Sequence, residues 1–316
     1  MKNLFLIALI LFYLPSNSFS QTTTFSAEVL NIDTKEPIEY AHVYVKGQSS
    51  GKLTNHSGFF SLGNVSIQDT IIISCLGYET VSFKFSEKVK DIFLLKPKIY
   101  ELTTSEIKSG ISSIVQAGFT KKKLDKNKIG GSRVGLPWRD GGLFNTEVQK
   151  AIYIKNPMQA IGLIQNVEFF LHKEGLANTP FRVRLYAANE SGMPTYDLIN
   201  ENVIVDYGKN GAWVKVDLKK YQVEYPSKGF FIAMEWLQSN DRTFIYNTKW
   251  KKTATQVGRK QLKKEGFLNK KRKGFGQILG SYEQPQEMWS KVLNREWEKH
   301  EAYSSFMIRC EIKVWE

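Results

Sequence analysis

Along most of the chain, hydrophobic and polar positions alternate with a period of two. They do so in short stretches punctuated by Gly, Asn, Asp and Pro. In "EYAHVYVKG", Tyr40, His42 and Tyr44 fall on one face and Ala41, Val43 and Val45 on the other. "TFSAEVLNI", "GFFSL", "DTIIISCLGY", "ETVSFKF" and "DIFLLKP" read the same way, as does a short polar piece after Gly47. The turn clusters Thr34–Pro37, Thr54–Gly58 and Gly63–Ser66 separate them. Short strands with this turn chemistry predict a sandwich of about seven strands. Gly58 and Gly77 fall where a turn or bulge requires backbone angles that suit glycine.

Alternation lapses between the two strand-rich parts. "LTTSEIKSGISSIVQAGFTKKKLDKNKIGGSRVGLPWRDGG" is polar, basic and Gly-rich, and reads as a linker with one short helix near Ser105 to Ala117. Strands return from Asn145. "FRVRLYAAN" sets Phe181, Val183 and Leu185 against Arg182 and Arg184, and "GFFIAMEWL" puts Phe230, Ile232, Met234 and Trp236 on one face. "NVIVDY", "AWVKVDL" after the Asn210-Gly211 turn signal, and "SSFMIRCEIKVW" bring the expectation to nine or ten strands. The fold class is therefore all-β, with a seven-stranded sandwich at 21–98, a linker at 99–144, and a larger antiparallel, jelly-roll-like sandwich at 145–316.

The first twenty residues read as an export signal. Lys2 supplies positive charge, Leu4 to Leu14 the apolar centre, and Ser18-Phe19-Ser20 a small-x-small cleavage motif. That apolar run falls short of the about 20 residues a membrane-spanning helix needs. With no Cys at the cleavage site, no lipid anchor is expected; the competing reading is a retained N-terminal anchor. Export permits disulfides, yet Cys75 follows Ile71 and Ile73, and Cys310 follows Phe306 and Ile308, each on an apolar strand face. Two free, buried thiols in separate cores are expected.

The net charge of +13 is concentrated in two places. Thr22 to Lys98 balances eight Lys with eight acids, whereas Lys249 to Lys273 holds eleven basic residues and one acid, Glu265. A smaller run, Lys121 to Arg133, holds six basic residues and one acid. Trp250 lies inside the larger run, which ends in Lys270, Lys271, Arg272 and Lys273. Basic residues interleaved with an aromatic suit a polyanion. For an exported chain this favours an anionic glycan or a membrane surface over nucleic acid. The competing reading is a solvated loop whose charge serves solubility. Trp138, Arg139 and Asp140 in "LPWRDGG" form the other candidate binding cluster.

Catalytic chemistry has little support in the sequence. No Gly-x-Ser-x-Gly elbow occurs, and Ser105-Glu106-Ile107-Lys108 fits Ser-x-x-Lys without a Lys-Thr-Gly partner. The four histidines, His42, His56, His172 and His300, begin no His-x-x-Glu or His-x-x-x-His pair. A catalytic zinc usually needs three such ligands. No catalytic residue, metal site or cofactor is therefore assigned. His42 reads as a strand-face residue, His56 as a turn residue.

Three motifs occur in order: Pro37-Ile38 with Ala41 to Gly47, Thr54 to Phe60, and Asp69-Thr70-Ile71 with Ser74 to Tyr78. In these, Thr22 to Pro97 resembles the carboxypeptidase-regulatory-like domain. Asn55 stands where many members carry Asp, and supports the same turn. The resemblance implies a transthyretin-like β-sandwich that accompanies peptidases without being one. It is common in envelope proteins of Bacteroidetes-type bacteria. Arg182 to Tyr186, Gly192-Met193-Pro194, Val216-Asp217-Leu218 and Gly229 to Trp236 resemble, more loosely, the uncharacterised region that follows that domain in such proteins; no activity is implied.

The sequence thus predicts a non-enzymatic exported protein, placed in the periplasm, on the outer membrane or outside the cell. It would bind an envelope protein or a glycan through its sandwiches, with a polyanion or membrane surface met by the basic run. The alternative is an envelope hydrolase acting on glycan or peptide with its site in the second sandwich. Oligomeric state is not encoded in any motif.

Overall fold

The computed structural model describes residues 22–48, 51–86, 90–98, 110–121, 123–125, 129–132, 148–173, 175, 179–237, 243–247, 271–275, 279–283, 286–292, 295–300 and 305–315. The signal segment, Ser105 to Lys108, the cluster Trp138, Arg139 and Asp140, and the stretch from Thr248 to Lys270 with Trp250 lie outside the described residues.

The first sandwich has the seven expected strands: β1 (Thr23–Asn31), β2 (His42–Val45), β3 (Gly51–Leu53), β4 (Phe59–Val65), β5 (Thr70–Ser74), β6 (Val81–Lys84) and β7 (Ile92–Leu95). They form a three-stranded sheet, β4-β1-β7, and a four-stranded sheet, β3-β2-β5-β6. β1 and β7 run parallel; the other pairs in this domain are antiparallel. Alternate residues meet between the sheets: Phe25, Ala27 and Val29 from β1, Val43 and Val45 from β2, Ile71 and Ile73 from β5. Asn55 makes the expected turn, its Oδ1 accepting from the N–H groups of Ser57 and Phe59 at 3.0 Å each. Gly58 closes it at φ +73°, where an added Cβ would lie 2.4 Å from the Val29 carbonyl oxygen.

The second sandwich comprises β8 (Ser112–Gly118), β9 (Gly130–Ser132), β10 (Val148–Ile154), β11 (Gly162–Leu171), β12 (Phe181–Ala188), β13 (Pro194–Asp197), β14 (Val203–Val205), β15 (Ala212–Asp217), β16 (Phe230–Trp236), β19 (Leu279–Tyr282), β20 (Met288–Val292), β21 (Glu298–His300), β22 (Ser305–Phe306) and β23 (Ile308–Trp315). One sheet runs β13-β12-β16-β10-β20-β21, with β14 beside β12. The other runs β22-β19-β11-β23-β8, with β15 on β11 and β9 on β19. Phe169 of β11 meets Phe181 of β12 edge to face across the layer, centroids 5.5 Å apart. Phe230, Ile232, Met234 and Trp236 face this core as their alternation predicts. Cys310 lies in it and Cys75 in the core of the first sandwich; both are free.

Two expectations need correction. Ser112 to Ala117 is strand, not helix, and pairs antiparallel with β23. Most of β8 is solvent-exposed on both faces, so it lacks the alternation that would have revealed it; pairing with its neighbour decides its conformation. The strands exceed nine or ten because short pieces such as β21 and β22 carry too few residues to show a period. Asn210-Gly211 does bend the chain, with Gly211 at φ +77°: β14 before it pairs with β12 and β15 after it with β11, in opposite sheets.

The end of the basic run is also strand. β18 (Lys271–Phe275) pairs antiparallel with β17 (Thr243–Asn247), bringing Tyr246 opposite Arg272 and Ile245 opposite Lys273. Lys271, Arg272 and Lys273 therefore sit on a two-stranded ribbon that joins no other sheet among the described residues.

Candidate functional site between the two sandwiches

The inward residues of β12 leave Arg182 and Arg184 on the outer face of their sheet, as alternation requires. That face is not in water. Arg182 stands directly across from Glu235 of β16, and both side chains are fully buried. Arg182 Nη1 donates to Glu235 Oε1 at 3.0 Å, and Arg184 Nη1 to Glu235 Oε2 at 3.0 Å. Arg184 also grips Asp197 of β13 in a fork, Nε to Oδ1 at 2.7 Å and Nη2 to Oδ2 at 2.6 Å. Two guanidinium groups thus face two carboxylates, so the cluster balances its own charge.

The lid over this cluster is the first sandwich. His42, on the outer face of β2, places Nε2 2.9 Å from Glu235 Oε1 and 3.1 Å from Arg182 Nη1. Arg182 Nη2 donates to the carbonyl oxygen of Tyr40 at 2.8 Å. Tyr40 holds φ at +59°, a left-handed conformation that is strained for a bulky residue. In this conformation its carbonyl accepts the bond from the arginine. Nearby, Asn202 Nδ2 donates to Cys75 Sγ at 3.2 Å. Gly77, at φ +84°, lies so close to Asn200 that an added Cβ would stand 2.3 Å from its carbonyl oxygen.

Electrostatics follow from this enclosure. Burial alone would raise the Glu235 carboxyl, but Arg182, then Arg184 and the bond from His42, hold it well below the usual carboxylate range. Burial works against the Arg184 charge too, and the surrounding Tyr186, Asp197 and Glu235 keep it on. Burial pushes Tyr186 upward; its hydroxyl donates to Gln149 Oε1 at 2.6 Å. Such a charge-balanced cluster fixes geometry; within it Arg182 is held through Nη1 and Nη2, while its buried Nε has no hydrogen-bond partner. Among the described residues, no group of three His, Cys, Asp or Glu is placed to hold a metal ion.

A second polar cluster lies at the β20–β21 edge. Ser290 Oγ is 2.5 Å from His300 Nε2, and Ser290 pairs across strands with Lys150 and Glu298. Burial, then the charge of Lys150, pulls His300 below its ordinary value and so favours the neutral ring. A neutral imidazole on a serine hydroxyl is the arrangement of a base beside a nucleophile.

Of the residues singled out from sequence, Lys271, Arg272 and Lys273 share the β17–β18 ribbon; Trp138, Arg139, Asp140, Trp250 and Lys270 lie outside the described residues. Sequence reasoning placed His42 and Arg182 on the correct faces but not opposite one another. One signal was present: Glu235 is a lone acid in a strand otherwise apolar on both faces.

The fold and its joint define a two-sandwich protein whose first domain is a small mixed-sheet module clamped by ion pairs onto a larger antiparallel one. Residues 25–106 match the family model of the CarboxypepD_reg-like domain. That domain is a regulatory-like module and not a catalytic one. No curated protein matches the chain.

Proposed function

We propose that this is a non-enzymatic exported envelope protein that binds a partner protein through its first sandwich. The observation that supports this reading is the outer face of the three-stranded sheet. Phe59, Glu28 and Ile92 lie in one row across β4, β1 and β7, with Leu94 next along β7. Phe59, Ile92 and Leu94 are 40%, 49% and 40% exposed. The opposite face of the same domain is occupied by the joint with the second sandwich. Clustered exposed apolar side chains mark interaction surfaces. The test is cross-linking of the mature protein in envelope extracts, beside the variant Phe59→Glu/Ile92→Glu, with a glycan array run in parallel. Specific cross-links lost in the variant support the reading; glycan binding unaffected by the variant would transfer the function to another surface.

Export rests on the Ser18-Phe19-Ser20 motif, and N-terminal sequencing of the mature protein should begin at Gln21. The basic ribbon would add contact with a polyanion or an anionic membrane. Replacing Lys270, Lys271, Arg272 and Lys273 by Gln should then weaken retention on heparin and flatten its salt dependence.

The hydrolase reading is favoured by one observation, the Ser290–His300 contact at 2.5 Å. A fluorophosphonate probe that labels Ser290, and fails on Ser290→Ala, would establish it; an unlabelled serine would remove it.

A further inference from the structure

β6 and β7 are the outermost strands of their two sheets, and they border one another. At one end they are stitched together: Tyr78 bridges Pro97, Glu79 N–H donates to Lys96 O at 2.8 Å, and Lys98 N–H to Gly77 O at 2.8 Å. Beyond that point they part, each joining a different sheet, and a cleft of about 480 Å³ opens between them. Val81, Phe83, Ile92, Phe93 and Leu94 line it, with Lys84 and Lys90 also at the cleft and exposed. Phe83 and Phe93 stack at 4.7 Å, an apolar base for the cleft.

The register of β6 tells which of its main-chain groups are in use. Phe85 N–H donates to Asp69 O on the β5 side, at 2.8 Å. Antiparallel pairing alternates, so Phe83 and Val81 also turn their main-chain groups toward β5. Ser82 and Lys84 then turn their N–H and C=O toward the open edge. Their side chains are exposed, whereas Val81 and Phe83 are half-buried. An edge of this kind, with no strand paired to it among the described residues, is a template for another strand.

We propose that the first sandwich takes up an extended strand of its partner protein along β6. Apolar residues at alternate positions would enter the cleft, and acidic residues between them would face Lys84. The proposal rests on the protein-binding reading above and supplies its mode. Charge selects the occupant: a second copy of β6 would bring its own Lys84 to an edge already carrying Lys84 and Lys90. An acidic strand pairs with both. Opposite charges across neighbouring strands stabilise the pair, and like charges oppose it. The strand added to β6 is antiparallel, continuing the pattern of its sheet.

The test uses the mature full chain and the fluorescein-labelled peptide GVEVEVG, read by fluorescence anisotropy. GVKVKVG and a GVEVEVG carrying N-methyl groups on its glutamate amides serve as controls. Wild-type protein should bind GVEVEVG saturably, and each control at least about tenfold more weakly. Ser82→Pro removes an edge N–H and should weaken binding to a similar degree while leaving the melting temperature in place. Lys84→Glu should exchange the preference to GVKVKVG. Equal binding of the N-methylated peptide by wild type overturns strand pairing even if Ser82→Pro does not fold. Absence of binding to GVEVEVG overturns the proposal. Envelope cross-links that survive Ser82→Pro but are lost in Phe59→Glu/Ile92→Glu would overturn strand addition alone and leave partner binding standing.

Discussion

His42 Nε2 of the first sandwich lies 2.9 Å from Glu235 Oε1 of the second, inside a cluster that Arg182 and Arg184 complete. The two domains are therefore joined by charge as well as by shape. The contact engages the outer face of the four-stranded sheet, whereas Phe59, Ile92 and Leu94 on the three-stranded sheet stay exposed.

Removing one member of the cluster should be costly. Glu235→Gln leaves two buried guanidinium groups facing a neutral amide, and breaking a buried pair costs about 3–5 kcal/mol. Urea unfolding should show a free energy of unfolding lower by that amount, with a lower midpoint, and limited proteolysis should separate the two sandwiches more readily. A midpoint equal to wild type would show that the cluster relaxes without loss.

Acid should loosen the same joint. The Glu235 carboxyl is held well below its ordinary value, so its contribution is fully present above the unfolded value of about 4.3 and is lost as pH falls through the folded one. Stability measured across that acid range should fall more steeply for wild type than for Glu235→Gln. Parallel curves would contradict this.

Gly77 and Gly47 separate two effects. Both hold positive φ, +84° and +87°, but a Cβ on Gly47 meets nothing within 4 Å, whereas one on Gly77 meets the Asn200 carbonyl oxygen at 2.3 Å. Gly47→Ala should cost about 1 kcal/mol for backbone conformation alone. Gly77→Ala should cost more, about 1–3 kcal/mol, with faster amide exchange on both sides of the joint. Equal losses would place Gly77 outside the joint.

The thiols should be slow. Burial raises Cys75 and pushes Cys310 up to about 12, so little thiolate exists at neutral pH. Alkylation by iodoacetamide should proceed only after denaturant is added. An intact mass short of two hydrogens, restored by reductant, would mean a disulfide and a different contact between the cores.

Local sequence carried the parts of the fold that local chemistry decides. Period-two alternation placed Ala41, Val43 and Val45 inward and Arg182 outward, Asn55 and Gly58 marked their turn, and the apolar neighbours of Cys75 and Cys310 assigned each to its own core. These depend on residues within a few positions of one another. Alternation says which face a side chain takes, but not what covers that face. Only the tertiary structure brought His42 and Tyr40 over Arg182, 140 and 142 positions away. Only pairing with β23 made a strand of Ser112–Gly118, and only sheet assignment put the strands on either side of the Asn210-Gly211 turn signal in different sheets. The physical reason is common to all three. A main-chain edge or a buried charge takes its partner from whatever the folded chain brings beside it, and that choice is made by long-range packing.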